Sequence, residues 1–380
     1  MKHTAAALLL SAVMLLPGAA LPAHAAQSGS LGDLRWSLSG DGTLTVTGRG
    51  DMPSDEDYPW NDLRDSIRRV VIGEGVTSVG DSAFIWCDHL TEVQLPGTLK
   101  RMEWWAFADC RELRAMDMPD SVTELEPGVL YGDWSLQRVR FSAGLKELPS
   151  VDVNEEVLYG TCVGCKALET VILPEGLEVI GVRSFGDCEK LTSVTVPATV
   201  QRMDMDCFCD CTSLARITIL NPDCVIGGGY GAEWVEPGGL STKWVEPGNL
   251  STLGATISNS SSYNLTEDTY TGVIVGWEGS TAQEYAKACG YRFEALHASL
   301  GDLDGNGRAN ANDAAAVLRA AARIGAKRPS GLAPAQVSAA DVSGDGAVNA
   351  NDAAMLLRYA AYVGAKGTDS IEVYFGRSST

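Results

Sequence analysis

Histidine is nearly missing from this chain: there are four in 380 residues, and two of them fall within the first 25. That leaves His89 and His297, in different segments. A Ser-His-Asp arrangement would need a nucleophile and an acid converging on one of them, and no G-x-S-x-G elbow is present. Basic residues are also short, 29 against 49 acids, for a formal net charge of −20. Nucleic acid is a poor partner for such a chain, because phosphate contacts need clustered Lys and Arg. Beyond the first 25 residues no stretch is apolar enough to span a bilayer. At 45% hydrophobic and 21% charged the chain is ordinary globular material rather than a disordered tail. Its length allows two or three domains.

The N-terminus reads as a processing segment. Lys2 and His3 precede an apolar run from Ala5 to Leu16, Pro17 and Gly18 break it, and Ala23-His24-Ala25 is a small-x-small cleavage site. A signal peptide over residues 1–25 is expected, since the run is too short to cross about 30 Å of hydrocarbon. The end of the chain, Gly376 to Thr380, carries no hydrophobic sorting tail, so the mature protein is expected to leave the cell without an anchor of its own.

A repeat fills the middle. Phe84 in Ser82-Ala83-Phe84-Ile85-Trp86-Cys87 steps by 23 residues to Phe107, then to Leu130; Phe185 steps by 23 to Phe208. Between Leu130 and Cys162 the step is 32, a nine-residue insertion around Pro149 to Val157. Leu90, Leu113, Leu136, Leu168, Leu191 and Leu214 form one column, and Val76, Leu99, Val122, Leu145, Leu177 and Val200 another. Each unit has too few apolar residues to close a core alone, so units must stack into a solenoid. Leu90 to Leu95 alternates as a half-buried strand and stops at Pro96.

Ten cysteines in an exported chain would ordinarily imply disulfides. Here Cys87, Cys110, Cys165, Cys188 and Cys211 share one repeat column, where a small buried side chain stacks on its neighbours. Cys162-x-x-Cys165 and Cys207-x-Cys209-x-Cys211 offer a zinc alternative, but no histidine completes a ligand set. A solenoid offers a face, not the cleft with paired carboxylates that a glycosidase needs. Its exposed strand positions, such as Thr91, Arg114, Gln137, Glu169, Thr192 and Ala215, are mixed and suit a protein or a glycan. Trp86, Trp105 and Trp134 lie off the core columns and are expected to pack rather than to stack on sugars. Trp234-Val-Glu-Pro-Gly and Trp244-Val-Glu-Pro-Gly look like a duplicated loop insertion.

The A-F-x-x-C-x-x-L-x-x-V-x-L-P pattern over about 69–224 resembles BspA-type leucine-rich repeats, which are found on bacterial surface and secreted proteins. Leu130, Cys162 and Asp133 depart from it. Trp36 to Trp60 is similar to that family's N-terminal cap, and Gly272 to Ala282 to its closing segment. The resemblance implies a cap over 26–68, repeats over 69–224, and a C-terminal cap with an insertion over 225–298.

From residue 299 the character changes. Oxygen-bearing side chains stand at loop positions 1, 3, 5, 9 and 12: Asp302, Asp304, Asn306, Asn310 and Asp313. Gly307 sits where the loop must turn, and the seventh position needs only the carbonyl of Arg308. A second copy begins 39 residues later: Asp341, Ser343, Asp345, Gly346, Ala347, Asn349 and Asp352. Hard oxygen donors without His or Cys favour Ca2+ over zinc. Each loop opens an alanine-rich helix, and a helix clearly precedes neither. The duplication resembles a type I dockerin over about 299–367. The resemblance implies two Ca2+ sites and a cohesin partner on a scaffoldin of a polysaccharide-degrading complex. Ser343 departs from the commoner Asp or Asn, so the second site is expected to be weaker. By position the implied cohesin contacts are Ala311, Asn312, Arg319 and Arg323, with counterparts Ala350, Asn351, Arg358 and Tyr362. The tail, 368–380, is expected to fold back through Ile371 to Phe375.

The expected fold is α+β: a leucine-rich-repeat, β-rich solenoid of about six 23-residue units with caps, plus a small helical calcium-binding domain. The expected function is non-catalytic recognition by the solenoid with docking by the loops. The alternatives are a glycoside hydrolase component of the same complex, or a free adhesin.

Overall fold

In the computed structural model the described residues are 27–54, 57–153, 157–235, 239–245, 256–259, 269–305 and 307–376. The expected leader and Asn306 lie outside them.

Alternating residues in each repeat make a short strand whose inward side chain joins a shared core. These strands stack in parallel, with Arg69–Ile72 on Glu92–Gln94, Ala115–Asp117 on Arg138–Arg140 and Thr170–Ile172, and Ser193–Val196 on Arg216–Ile219. A second side carries two-residue rungs such as Ser78–Val79, Arg101–Met102 and Glu124–Leu125. The third side is closed by backbone bonds from turn to turn: Phe84 N–H to the Ala106 carbonyl at 2.9 Å, Cys162 to Ser184 at 2.8 Å, Phe185 to Cys207 at 2.9 Å. All six column leucines are fully buried, and each contributes roughly 1.5–3 kcal/mol by leaving water.

The solenoid has about nine turns, against the six expected. The extra turns are caps that stack without the repeat's consensus. At the N-terminal end Gln27–Leu31, Leu34–Leu38 and Thr43–Thr47 pair antiparallel, and the last pairs in parallel with Arg69–Ile72. At the other end Val273–Gly276 and Arg292–Ala295 continue the stack beyond Arg216–Ile219. A tryptophan closes each end. Trp60 lies on Phe84 at 5.7 Å and donates its indole N–H to the Ala83 carbonyl at 2.7 Å. Trp277 donates to the Leu220 carbonyl at 2.7 Å, so both buried N–H groups are satisfied. Helix α1, Thr281–Cys289, is capped by the Ser280 hydroxyl, which accepts from Gln283 N–H. The nine-residue insertion forms an antiparallel pair, Val151–Val153 with Val157–Tyr159. Trp234 and Val235 end the strand Val225–Val235, whose residues from Gly229 pair antiparallel with Gly239–Val245, the strand that carries Trp244 and Val245; the remaining residues of the two W-V-E-P-G segments lie outside the described residues.

The cysteine column has a polar logic. The Cys110 thiol donates to the Phe84 carbonyl at 3.2 Å, Cys165 to Leu130 at 3.1 Å, Cys188 to Cys162 at 3.4 Å and Cys211 to Phe185 at 3.1 Å. Burial pushes the Cys87 thiol up to about 12 and holds Cys110, Cys162 and Cys188 well above the ordinary thiol value. All ten cysteines are free. Protonated thiols spent on carbonyls are poor zinc ligands.

Asp133 breaks this column. It is fully buried, its Oδ1 accepts from Cys110 N–H at 2.8 Å, and its Oδ2 has no partner. Burial pushes its carboxyl well above the ordinary value. An acid raised in the folded state holds its proton there, so stability is greatest below the unfolded value, about 3.9. It then falls as pH rises from that value toward the folded one. Asp133→Cys, which restores the column, should therefore remove this slope and stabilise the solenoid by about 1–3 kcal/mol at pH 7. Unfolding midpoints of both proteins between pH 4 and 8 measure it; a gap that stays constant with pH would contradict the assignment.

Candidate metal centre and docking surface

Each loop is tied to its helix by one asparagine and one aspartate. Helix α2, Ala311–Gly325, starts at Asn310, whose side chain accepts from Asn312 N–H at 2.8 Å. Asp313 closes the reciprocal half of the box, accepting from Asn310 N–H at 2.8 Å through Oδ2. Its Oδ1 accepts from Leu303 N–H at 2.8 Å and Asp304 N–H at 3.3 Å. One carboxylate thus spans the loop's start and the helix's first turn. Asp302 accepts from Gly307 N–H at 2.8 Å. Gly307, at φ 80°, and its counterpart Gly346, at φ 82°, hold the left-handed bend that a side chain would strain.

The second loop repeats the construction. Helix α3, Pro334–Ala340, leads into it, so a helix does precede this loop; its Pro at the first turn and only seven residues hide it from periodicity. Helix α4, Ala350–Gly364, starts at Asn349, which accepts from Asn351 N–H at 2.8 Å. Asp352, fully buried, accepts from Asn349 N–H at 2.9 Å and Ser343 N–H at 2.8 Å.

The loops differ in how far their acids converge. Asp302, Asp304 and Asp313 each bring a carboxylate oxygen within 4.8 Å of the others, with Asp302 and Asp313 buried. Among the described residues no other group of acids, cysteines or histidines does so. In the second loop the Ser343 hydroxyl donates to Asp341 at 3.3 Å, and Asp345 accepts from Ala347 N–H at 2.8 Å. Burial raises the Asp313 carboxyl against the backbone N–H groups that oppose it. Burial also works against Asp341, but the N–H groups of Gly346, Gly344 and Asp345 outweigh it and hold that carboxyl below its ordinary value. A hard dication suits the first loop, where three carboxylates converge. The carbonyls of Arg308 and Ala347 each accept from the asparagine two residues on, at 3.1 Å.

Helices α2 and α4 pack across a small core of Leu303, Val317, Val342 and Leu356, with alanines at Ala314, Ala320, Ala340 and Ala353 letting the helices approach. The tail joins this core. Helix α5, Ile371–Tyr374, buries Ile371, and a side chain at Gly301 would meet Ile371 Cδ1 at 2.5 Å. The two ends of the unit therefore clasp, as Ile371 to Phe375 suggested.

Ala311, Asn312, Arg319, Arg323, Ala350, Asn351 and Arg358 are exposed. Tyr362 is not free to the same degree: its hydroxyl donates to Asp369 at 2.7 Å and its ring lies 4.7 Å from Tyr374. Arg319 and Arg323 line a cavity of about 680 Å³ whose far wall includes Glu175, Glu178 and Asp223 of the solenoid. Sequence reasoning missed the apolar members of these faces. Leu318 and Leu357 are 44% and 47% exposed, and Ile324 and Val363 both 45%. The 39-residue register that pairs them was the available signal.

On the solenoid, His89 Nδ1 lies 3.0 Å from Glu112, both exposed. Trp105 packs as expected, 5.5 Å from Trp104. Trp86 and Trp134 do not; they are half exposed, because the turn aims them outward.

The sequence model of the BspA type leucine rich repeat region matches residues 61–152 and 156–228 in six copies, and that of the dockerin type I domain matches 300–360. None of the curated proteins compared matches. Similar solved structures include a leucine-rich repeat protein from Eubacterium ventriosum, 18% identical, covering 54% of this chain and 68% of that one, TM-score 0.35. Another, from Bacteroides ovatus, is 15% identical over 64% of this chain and 70% of that one, TM-score 0.30. The leucine rich repeat protein of T. pallidum is 22% identical over 43% of this chain and 91% of that one, TM-score 0.27. Repeats and docking domain together give the chain a protein-interaction role. The protein carries a BspA-type leucine-rich-repeat region joined to a type I dockerin domain.

Proposed function

We propose that this is an exported, non-catalytic recognition protein, delivered by its dockerin to a cohesin on a scaffoldin of a polysaccharide-degrading complex. The solenoid then presents a binding face to a protein or glycan. The observation that carries the reading is the duplicated loop and helix start, with converging acids inside and exposed Asn312 and Asn351 outside. Two calcium sites are proposed. The first uses Asp302, Asp304, Asn306, Asn310, Asp313 and the Arg308 carbonyl; the second uses Asp341, Ser343, Asp345, Asn349, Asp352 and the Ala347 carbonyl. Calcium supplies the positive charge that fixes both loops. The capping asparagines then hold the helices in register, and Ala311, Arg319, Arg323, Ala350, Arg358 and Tyr362 flank the contact surface. Non-catalytic action is supported by buried thiols engaged with backbone carbonyls, which keeps them protonated and unreactive.

Surface plasmon resonance over immobilised type I cohesins tests the reading. Binding is expected in millimolar calcium and not in chelator; a calcium-loaded protein that binds none of a broad cohesin panel overturns it.

A further inference from the structure

One corner of the solenoid carries two tryptophans that docking does not use. Trp86 is 55% exposed and Trp134 is 50% exposed. Trp86 stands at a left-handed backbone position, φ 59°, that later turns fill with Asp109, Gly132, Gly164, Asp187 and Asp210. Gly adopts this conformation freely and Asp tolerates it, whereas a bulky aromatic is strained. More than half of the residue remains in water, so burial does not offset that strain. Strain that packing leaves unexplained points to function.

Both rings are also oriented. The Arg64 guanidinium lies 5.6 Å from the Trp86 ring centre, and the Trp86 indole stands beside the Asp109 carboxyl. The Arg111 guanidinium lies 4.9 Å from the Trp134 ring centre. A cation on one face holds a ring in place and leaves the other face open. Asp109 and Arg111 belong to the turn between the two tryptophans, whose backbone is bonded to both neighbouring turns. At roughly 4.8 Å per rung, the tryptophan-bearing turns stand about 10 Å apart. That is close to the distance between every second ring of an extended β-1,4-linked hexopyranose chain.

We propose that Trp86, Asp109, Arg111 and Trp134 form a glycan subsite, taking an extended β-1,4-linked hexopyranose chain along the solenoid axis. The tryptophans stack on alternate sugar rings, and the carboxylate and guanidinium between them bond the intervening hydroxyls. A protein partner fits less well. A protein interface needs a contiguous apolar centre with charged residues depleted, and this strip is edged by half-exposed His89 and exposed Arg111 and Glu112. The inference deepens the solenoid half of the proposed function and is independent of docking.

Calorimetric titration of the full chain with cellohexaose and mannohexaose, and with laminarihexaose as a β-1,3-linked comparison, tests it. At least one β-1,4-linked hexaose should bind, more tightly than laminarihexaose and equally in calcium or chelator. Trp134→Ala and Trp86→Gly should each weaken binding at least tenfold. Trp86→Gly removes the ring while relieving the backbone, so its unfolding midpoint should hold or rise. No binding to either β-1,4-linked hexaose, binding retained by both variants, or capture of a protein alone overturns the proposal. Cohesin binding by the same variants is read in parallel: intact docking beside a failed titration removes this subsite alone.

Discussion

Chelating calcium should unfold residues 299–375 while the solenoid stays folded, and cohesin affinity should fall more than a hundredfold. The cause is local. Asp302, Asp304 and Asp313 crowd their oxygens within 4.8 Å of one another, and two like charges about 4 Å apart repel by roughly 4 kcal/mol at an effective dielectric near 20. Asp313 also holds the backbone of Leu303, Asp304 and Asn310, so its displacement frees the loop and the helix start together. The core that would resist is small and rich in alanine, and short domains have little reserve. Binding free energy is then folding free energy. Tyr359, Tyr362 and Tyr374 pack together at the clasp, which makes near-ultraviolet circular dichroism a reporter of this unit. Asp313→Ala should weaken calcium binding at least tenfold more than Asp352→Ala, because the second loop offers Ser343 where the first has Asp304. Helical signal from α2 and α4 that persists in chelator, beyond the contribution of α1 in the solenoid, would refute the coupling.

The repeat register was legible because every column residue faces one shared core; Leu90 through Leu214 needed no structure to be found. That Thr43–Thr47 and Arg292–Ala295 continue the stack was not, since they join it by backbone pairing without the consensus side chains. Backbone sign was hidden too. Ser82, Trp105, Gly128, Arg183 and Asp206 share one left-handed position, and Trp86 with its five counterparts shares another. Gly and Asp betray such a position, but Trp and Arg conceal it. Hence Trp86 read as packing material and proved half exposed. In the docking unit the ligand spacing was plain from sequence. The unequal convergence of the acids was foreshadowed by Ser343, which stands where the first loop places Asp304, one of its three converging carboxylates.

Phe107→Ala should destabilise the solenoid by about 3–5 kcal/mol, measured by urea unfolding at constant calcium. Phe107 is fully buried and stacks on Phe84 at 5.0 Å, which stacks on Trp60 at 5.7 Å. Its truncation opens a cavity in a column that continues with Leu130 and Cys162, both smaller than Phe, before resuming at Phe185 and Phe208, 5.1 Å apart. Backbone bonds to the turns above and below hold those neighbours at fixed spacing, so the gap cannot collapse. The same reasoning gives the opposite sign for restoring the consensus at Cys162. Phe141 stands where other turns carry Leu95, Met118, Leu173, Val196 or Ile219, and its ring meets Phe185 edge-on at 6.1 Å. That larger side chain occupies volume the missing phenylalanine would have taken. Cys162→Phe should therefore overpack the site and destabilise it by about 1–3 kcal/mol. Combined with Phe141→Leu, the loss should shrink to well under half. If the two substitutions simply add, Phe141 is not the compensating residue, and the space beside Cys162 is filled from elsewhere.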